Sequence, residues 1–218
     1  MTPAALHGLF RSEMVDTVEP YLWSDTEVYA YIDDAQTMLC RLTDGIPDAY
    51  RPALTRISIV AGTEWYTTSP LITKIRTATF SDTGRPVDVF NPETAADNNV
   101  RFDGREGPPK AMVLGLRANS VRVWPVPNSA QNIELSVFRL PLTSITGADG
   151  ETFEVDAQHH YHLLLWAKSL AYLKQDSDTF SKSRSEDFET RFRNYCEEVK
   201  RQQSRSRRIT GTTTYGGL

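Results

Sequence analysis

Long apolar runs are missing from this sequence. No stretch reaches the roughly 18 residues needed to cross a bilayer, and the opening MTPAALHGLFRSEMVD has no basic leader, continuous apolar segment or small-residue cleavage site. The expectation is a chain that neither spans a membrane nor carries a signal for its own export. Cysteine is scarce as well. Cys40 and Cys196 stand far apart in polar helical contexts, which argues against a disulfide framework and suits reduced thiols. Signatures of catalysis are also lacking: there is no phosphate-binding GxxxxGK loop, no GxGxxG, no GxSxG, no HExxH and no CxxC. An enzyme is not expected, and no cofactor is implied.

Charge is unevenly spread. The net charge is −4, yet the nine residues KRQQSRSRR at 200–208 hold five cations and no acid, so the chain before residue 200 sums to −9. A basic segment on an acidic body fits a solvated helix end or a tail that meets an anionic surface.

The remaining composition, 39% hydrophobic and 24% charged, is that of a globular protein with a real core. Ser24 followed by Glu27 forms a capping box. After it, Val28, Ile32, Ala35, Leu39 and Leu42 recur at helical spacing, so a helix is expected over residues 23–43. Asp33 and Asp34 fall off the stripe and read as a solvated face. From residue 54 the period shortens. Runs at Thr55–Val60, Leu71–Phe80, Pro86–Phe90, Ala111–Leu116, Val121–Trp124 and Ile133–Leu140 read as six strands separated by Gly-, Asn-, Ser- and Pro-rich turns. Residues 91–104 read as a loop with a brief helical turn, and Trp124-Pro125-Val126-Pro127 as the end of a strand. Helical spacing returns over 156–175 and about 179–203, where Phe188, Phe192, Cys196 and Val199 repeat.

The expected fold is therefore α+β. A helical bundle is built from the two ends of the chain (1–50 and 143–203), an antiparallel β-sandwich or barrel is inserted at 51–142, and an extended C-terminal arm covers 204–218. Each amphipathic stripe needs a partner, so Val28, Ile32, Leu39 and Leu42 are expected to face Phe188, Phe192 and Val199.

Three of the four histidines cluster in DAQHHYHLLLWAKSLAYL at 156–173. His159 and His162 meet the i, i+3 spacing of a helical metal pair, but no third ligand accompanies them. Asp156 reads as the N-cap. His159 shares a stripe with Leu163, Trp166 and Leu170, with His162 at its edge, so the imidazoles read as neutral core groups and no metal site is expected. Tyr161, Leu164, Leu165 and Tyr172 occupy the opposite side. A helix apolar over most of its circumference wants burial on two sides, the second being either its own bundle or a neighbouring copy.

Three stretches carry a resemblance: EPYLWSDTEVYAYIDDAQTMLCRLTD, VRVWPVPNSAQNIELSVFRLPL and HHYHLLLWAKSLAYLKQDSDTFSKSRSEDFETRF. Together they resemble the head-to-tail adaptor (connector, or tail tubular-like) proteins of tailed bacteriophages. The resemblance implies a virion protein at the head–tail interface, assembled in the host cytoplasm as a ring of about twelve copies. Its implied partners are the portal protein, a tail nozzle or tail tube protein, and duplex DNA that passes through the channel without specific binding. The resemblance also implies C-terminal arms that reach the portal. Here the candidate arm residues are Arg201, Arg205, Arg207, Arg208, Ile209, Tyr215 and Leu218, with the arginines facing carboxylates or phosphates and Tyr215 as anchor. The alternatives are another tail-completion or scaffold protein of the particle and, from a different class, a metal-dependent hydrolase.

Overall fold

A computed structural model describes residues 1–176 and 178–207. The chain divides into two compact units: a helical one made of Met1–Asp44 with the segment from Thr143 onward, and a sheet unit, Gly45–Leu142.

The helical unit begins with α1 (Pro3–Glu13), an element whose short stripe of Leu6 and Phe10 gives little periodicity. Thr2 caps it by accepting the Ala5 amide (3.2 Å), and Pro3 sits where a missing N–H costs nothing. In α2 (Asp25–Leu42) the capping box is closed, with Ser24 Oγ accepting the Glu27 amide and Glu27 accepting the Ser24 amide. Val28, Ile32, Ala35 and Leu39 of its stripe are buried. Residues Ala157–His162 form a 3₁₀ turn that leads into α5 (Leu163–Ala171), and α6 (Lys182–Arg207) follows.

The order of packing corrects one expectation. α5 lies between α2 and α6 and packs on both, while α2 and α6 touch each other little. Phe192 of α6 therefore meets Trp166 of α5 (centroids 5.3 Å apart), and Phe188 stacks on Tyr172. Trp23 caps the other side of α5 by donating its indole N–H to the Ala171 carbonyl (3.0 Å). The reason is visible in α5 itself. Leu163, Leu164, Trp166, Ala167 and Ala171 are all buried, so this helix consumes the apolar stripes of both neighbours.

Asp33 and Asp34 are also corrected. They are half-buried acceptors and not a solvated face: Asp33 takes the Ile145 amide (2.8 Å) and Asp34 the Trp166 indole (2.6 Å). Asp156 stands at the N-cap position but makes no side-chain cap bond, because a 3₁₀ turn follows it. In the loop that precedes this turn, Gly147 (φ +91°) lies so close to Tyr29 that a Cβ would fall 2.4 Å from the ring. Only glycine fits there.

The sheet unit contains β1 (Ile46–Asp48), a short α3 (Pro52–Thr55), β2 (Arg56–Ile59), β3 (Trp65–Thr67), β4 (Ile72–Phe80), β5 (Pro86–Phe90), α4 (Pro92–Asp97), β6 (Glu106–Gly107), β7 (Ala111–Leu114), β8 (Ser120–Trp124), β9 (Val126–Pro127) and β10 (Gln131–Arg139). All six strands read from the sequence are among them. Of the antiparallel sandwich or barrel expected, the sandwich is not formed, and the barrel is only half drawn and not wholly antiparallel. Eight strands make one curled half-barrel sheet in the order β1-β10-β4-β5-β7-β8-β3, with β2 also on β10. The sheet is mixed, because β5 and β7 pair in parallel (Val89↔Met112). Parallel neighbours need a crossover, and residues 91–110 with α4 supply it. Ile57, Ile59, Phe80, Met112, Val123, Ile133 and Leu135 fill one face. Ala95 and Val100 cover Ala111 and Val113 on the other.

The two ends of this unit are held together. Ile46 pairs with Arg139, and the buried Asp48 carboxylate accepts from Arg139 Nε at 2.8 Å. Burial opposes the charge on Asp48, yet the bonds from Arg139 and the Tyr50 amide outweigh it and hold its pKa below the usual range. Gly45 (φ +81°) enters beneath the Arg139 carbonyl, where a Cβ would lie 2.8 Å away.

Candidate functional site

Three surfaces stand out. The first is the end of α6. Past Val199, the last buried residue of its stripe, Lys200, Arg201 and Arg205 are exposed, and Arg201 is paired only loosely with Glu197 (3.3 Å). The helix continues to Arg207, so Arg201, Arg205 and Arg207 ride on a helix where an extended arm from residue 204 was expected. The physical reason is local: Lys, Arg and Gln are good helix formers, and i, i+4 pairs such as Asp187–Arg191, Glu189–Arg193 and Glu197–Arg201 run along the helix. Arg208, Ile209, Tyr215 and Leu218 lie outside the described residues. Beyond Glu198 the described helix carries cations and no carboxylate, a face suited to an anionic partner.

The histidine cluster is a packing device. His159 is buried, with Nδ1 2.7 Å from the Tyr195 hydroxyl of α6. His162 stacks face to face on the same Tyr195 ring (3.7 Å, 3°), and His160 donates from Nε2 to the Val155 carbonyl (2.9 Å). The three rings thus face different partners. Among the described residues no group of three or more His, Cys, Asp and Glu side chains could hold a metal. Burial pushes the His159 and His162 pKa values down and favours the neutral rings that this packing needs.

The second surface was not legible from periodicity. Between α1 and α2 the chain displays Val15 (84% exposed), Val18 (78%), Tyr21 and Leu22. Beneath them the buried Arg11 pairs with Asp16 and Asp25 and lies 4.2 Å under the Tyr21 ring, while Asp16 accepts the Leu22 amide (2.9 Å). Val15 adopts φ +57°, a strained conformation for a β-branched residue. The Arg11–Asp16 pair holds this apolar loop out toward solvent. The signal in the sequence was the run VEPYLW, which has too many large apolar groups for a loop with nothing to meet.

The third surface lies on the sheet unit, where β8 meets the edge strand β3. Trp65 sits between two guanidiniums, Arg117 at 3.9 Å and Arg122 at 5.3 Å, and Arg122 also covers Phe102 at 3.9 Å. Glu64 fixes Arg122 through two hydrogen bonds (3.0 and 2.8 Å) and accepts from the Trp65 indole. The charge follows the same division. Residues 45–142 hold eleven Lys and Arg against nine Asp and Glu, leaving thirteen against nineteen for the helical unit. The acidity of the chain is a property of the helices alone.

A family model described as SU10 adaptor protein matches residues 1–214, and so takes in both units. No curated protein matches the chain. The chain belongs to this family, a family of phage head-to-tail adaptors, and is a structural adaptor of the virion. Its surfaces are accordingly for other copies and for head and tail proteins. No helix among the described residues is long and apolar enough to cross a membrane.

Proposed function

We propose that this adaptor assembles as a ring of about twelve copies beneath the portal, extends the DNA channel and offers the tail its attachment surface. The reading rests on the family match over residues 1–214. The exposed cations of α6 support a polar docking function for the C-terminal end, with carboxylates of the portal as the expected counterpart. Arg208, Ile209, Tyr215 and Leu218 continue that end in sequence, and Tyr215 is the one large aromatic there. The loop of Val15, Val18, Tyr21 and Leu22 gives a second, apolar contact that fits a neighbouring copy or the tail protein.

Deleting residues 209–218 tests this. The thermal midpoint should stay within about 1 °C, since surface and terminal changes cost little. Attachment to portal-bearing heads should be lost. Wild-type attachment and infectious particles from the truncated chain would refute the assignment.

A further inference from the structure

Beside the Trp65 ladder runs an open groove of about 280 Å³ between β4 and the turn that joins β7 to β8. Its rim carries Lys74 and Arg117, both exposed, and its uncharged polar lining is Thr68, Ser69, Thr73, Asn119 and Ser120. No carboxylate is among the described lining residues, and neither cation has an ion-pair partner among the described residues. On the same unit Arg51, Arg56, Arg122 and Arg139 each face an acid, so the groove's two cations belong with those whose charge is left for an outside partner.

The donors are arranged as well as unpaired. Stacking on Trp65 fixes the Arg117 guanidinium at the rim, and Ser120 Oγ donates to the Arg117 carbonyl (3.2 Å), which pins the turn. Ser69 Oγ accepts the Leu71 amide (3.3 Å), leaving its proton to give. Asn119 holds φ +49° at the tip of the turn. One held cation, Arg117, a second exposed one, Lys74, and hydroxyl and amide donors, with no acid between them, match the oxygens of a phosphodiester backbone.

We infer that this groove on the sheet unit is a contact for the phosphate backbone of duplex DNA. The inference rests on the adaptor reading only in taking DNA to pass within reach of the protein. Two cations per copy make a weak contact. Releasing counterions from two phosphates contributes a slope of about −1.8 in log K against log salt, roughly a tenfold loss over a fourfold rise in salt. A duplex is guided by such a contact without being gripped.

The test is binding of a short labelled duplex to the full chain, followed by fluorescence anisotropy from about 50 to 200 mM salt. The basic end of α6 contributes equally to every variant and cancels. Lys74→Gln with Arg117→Gln should flatten the slope by about 1.8. Asn119→Asp, which places a carboxylate in a turn that tolerates it, should weaken binding while the thermal midpoint holds. If the double variant does not fold, Asn119→Asp decides alone. Unchanged slope and affinity would overturn the inference, as would an equal loss of polyglutamate binding in the double variant, which would assign the groove to an acidic protein surface. Attachment of the same variants to portal-bearing heads separates the two readings. Normal attachment with unchanged DNA binding sinks the groove alone, and failed attachment by the residue 209–218 deletion is read independently of it.

Discussion

Phe192 offers the sharpest test of the helical unit. Its ring is fully buried on α6 and tilted 44° against Trp166 at 5.3 Å, with Cys196 and Val199 continuing the same buried face. Truncation to alanine removes the transfer energy of the ring and leaves a cavity that the rigid α5–α6 interface cannot close, a loss of about 3–5 kcal/mol. Of this, about 0.5–1.5 kcal/mol belongs to the pairing with Trp166. For a chain of this size each kcal/mol lowers the midpoint by roughly 2–4 °C, so the expected drop is on the order of 10 °C. Calorimetry is the assay, with Phe180→Ala as control, since Phe180 is 52% exposed and its loss should shift the midpoint little. A double-mutant cycle with Trp166→Ala isolates the ring–ring energy. If Phe192→Ala and Phe180→Ala shift the midpoint equally, the placement of α5 between α2 and α6 is wrong.

Two further outcomes follow from the same unit. Gly147→Ala should cost about 1–3 kcal/mol more than Gly150→Ala. Both glycines have positive φ, but only at 147 does the new methyl strike the Tyr29 ring, so equal denaturation midpoints would refute the close approach. Stability should also fall in mild acid. Burial holds His7, His159 and His162 below the value of about 6.5 that they take when unfolded. Below that pH the unfolded chain binds protons that the folded one refuses, so stability is complete above about 6.5 and declines as pH falls toward the folded values. The urea midpoint should drop between about pH 7.5 and 5.5, and His159→Gln with His162→Gln should flatten the drop. A midpoint constant over that window would contradict the burial of these rings.

The elements that the sequence disclosed are those with a local cause. Ser24 and Glu27 mark the start of α2 because a capping box is complete within four residues. The alternation of Val121, Arg122, Val123 and Trp124 marks β8 because one face of the sheet is a core. What stayed hidden depends on partners distant in sequence. α1 offers only Leu6 and Phe10 as a stripe, and its one clear sign was Thr2 followed by Pro3. The parallel pairing of β5 and β7 is set by where residues 91–110 carry the chain, which no strand pattern encodes. Asp33 and Asp34 looked solvated because their partners, Ile145 and Trp166, lie more than a hundred residues away. The Lys74–Arg117 groove joins a strand and a turn that no motif links, and the fixed orientation of Arg117 appears only once Trp65 is in place.

The closure of the sheet unit on itself, with Ile46 beside Arg139 and Asp48 bonded to Arg139, bears on how such a protein can change over generations. An insert whose entry and exit strands are neighbours asks little of its host, which meets two adjacent chain ends where a short loop would otherwise run. The helices can keep their caps, stripes and ring contacts while the insert is lengthened, traded or reshaped. Selection can therefore act on the two halves at separate rates, and relatives should diverge fastest in what the sheet presents and slowest at the residues that seal its ends.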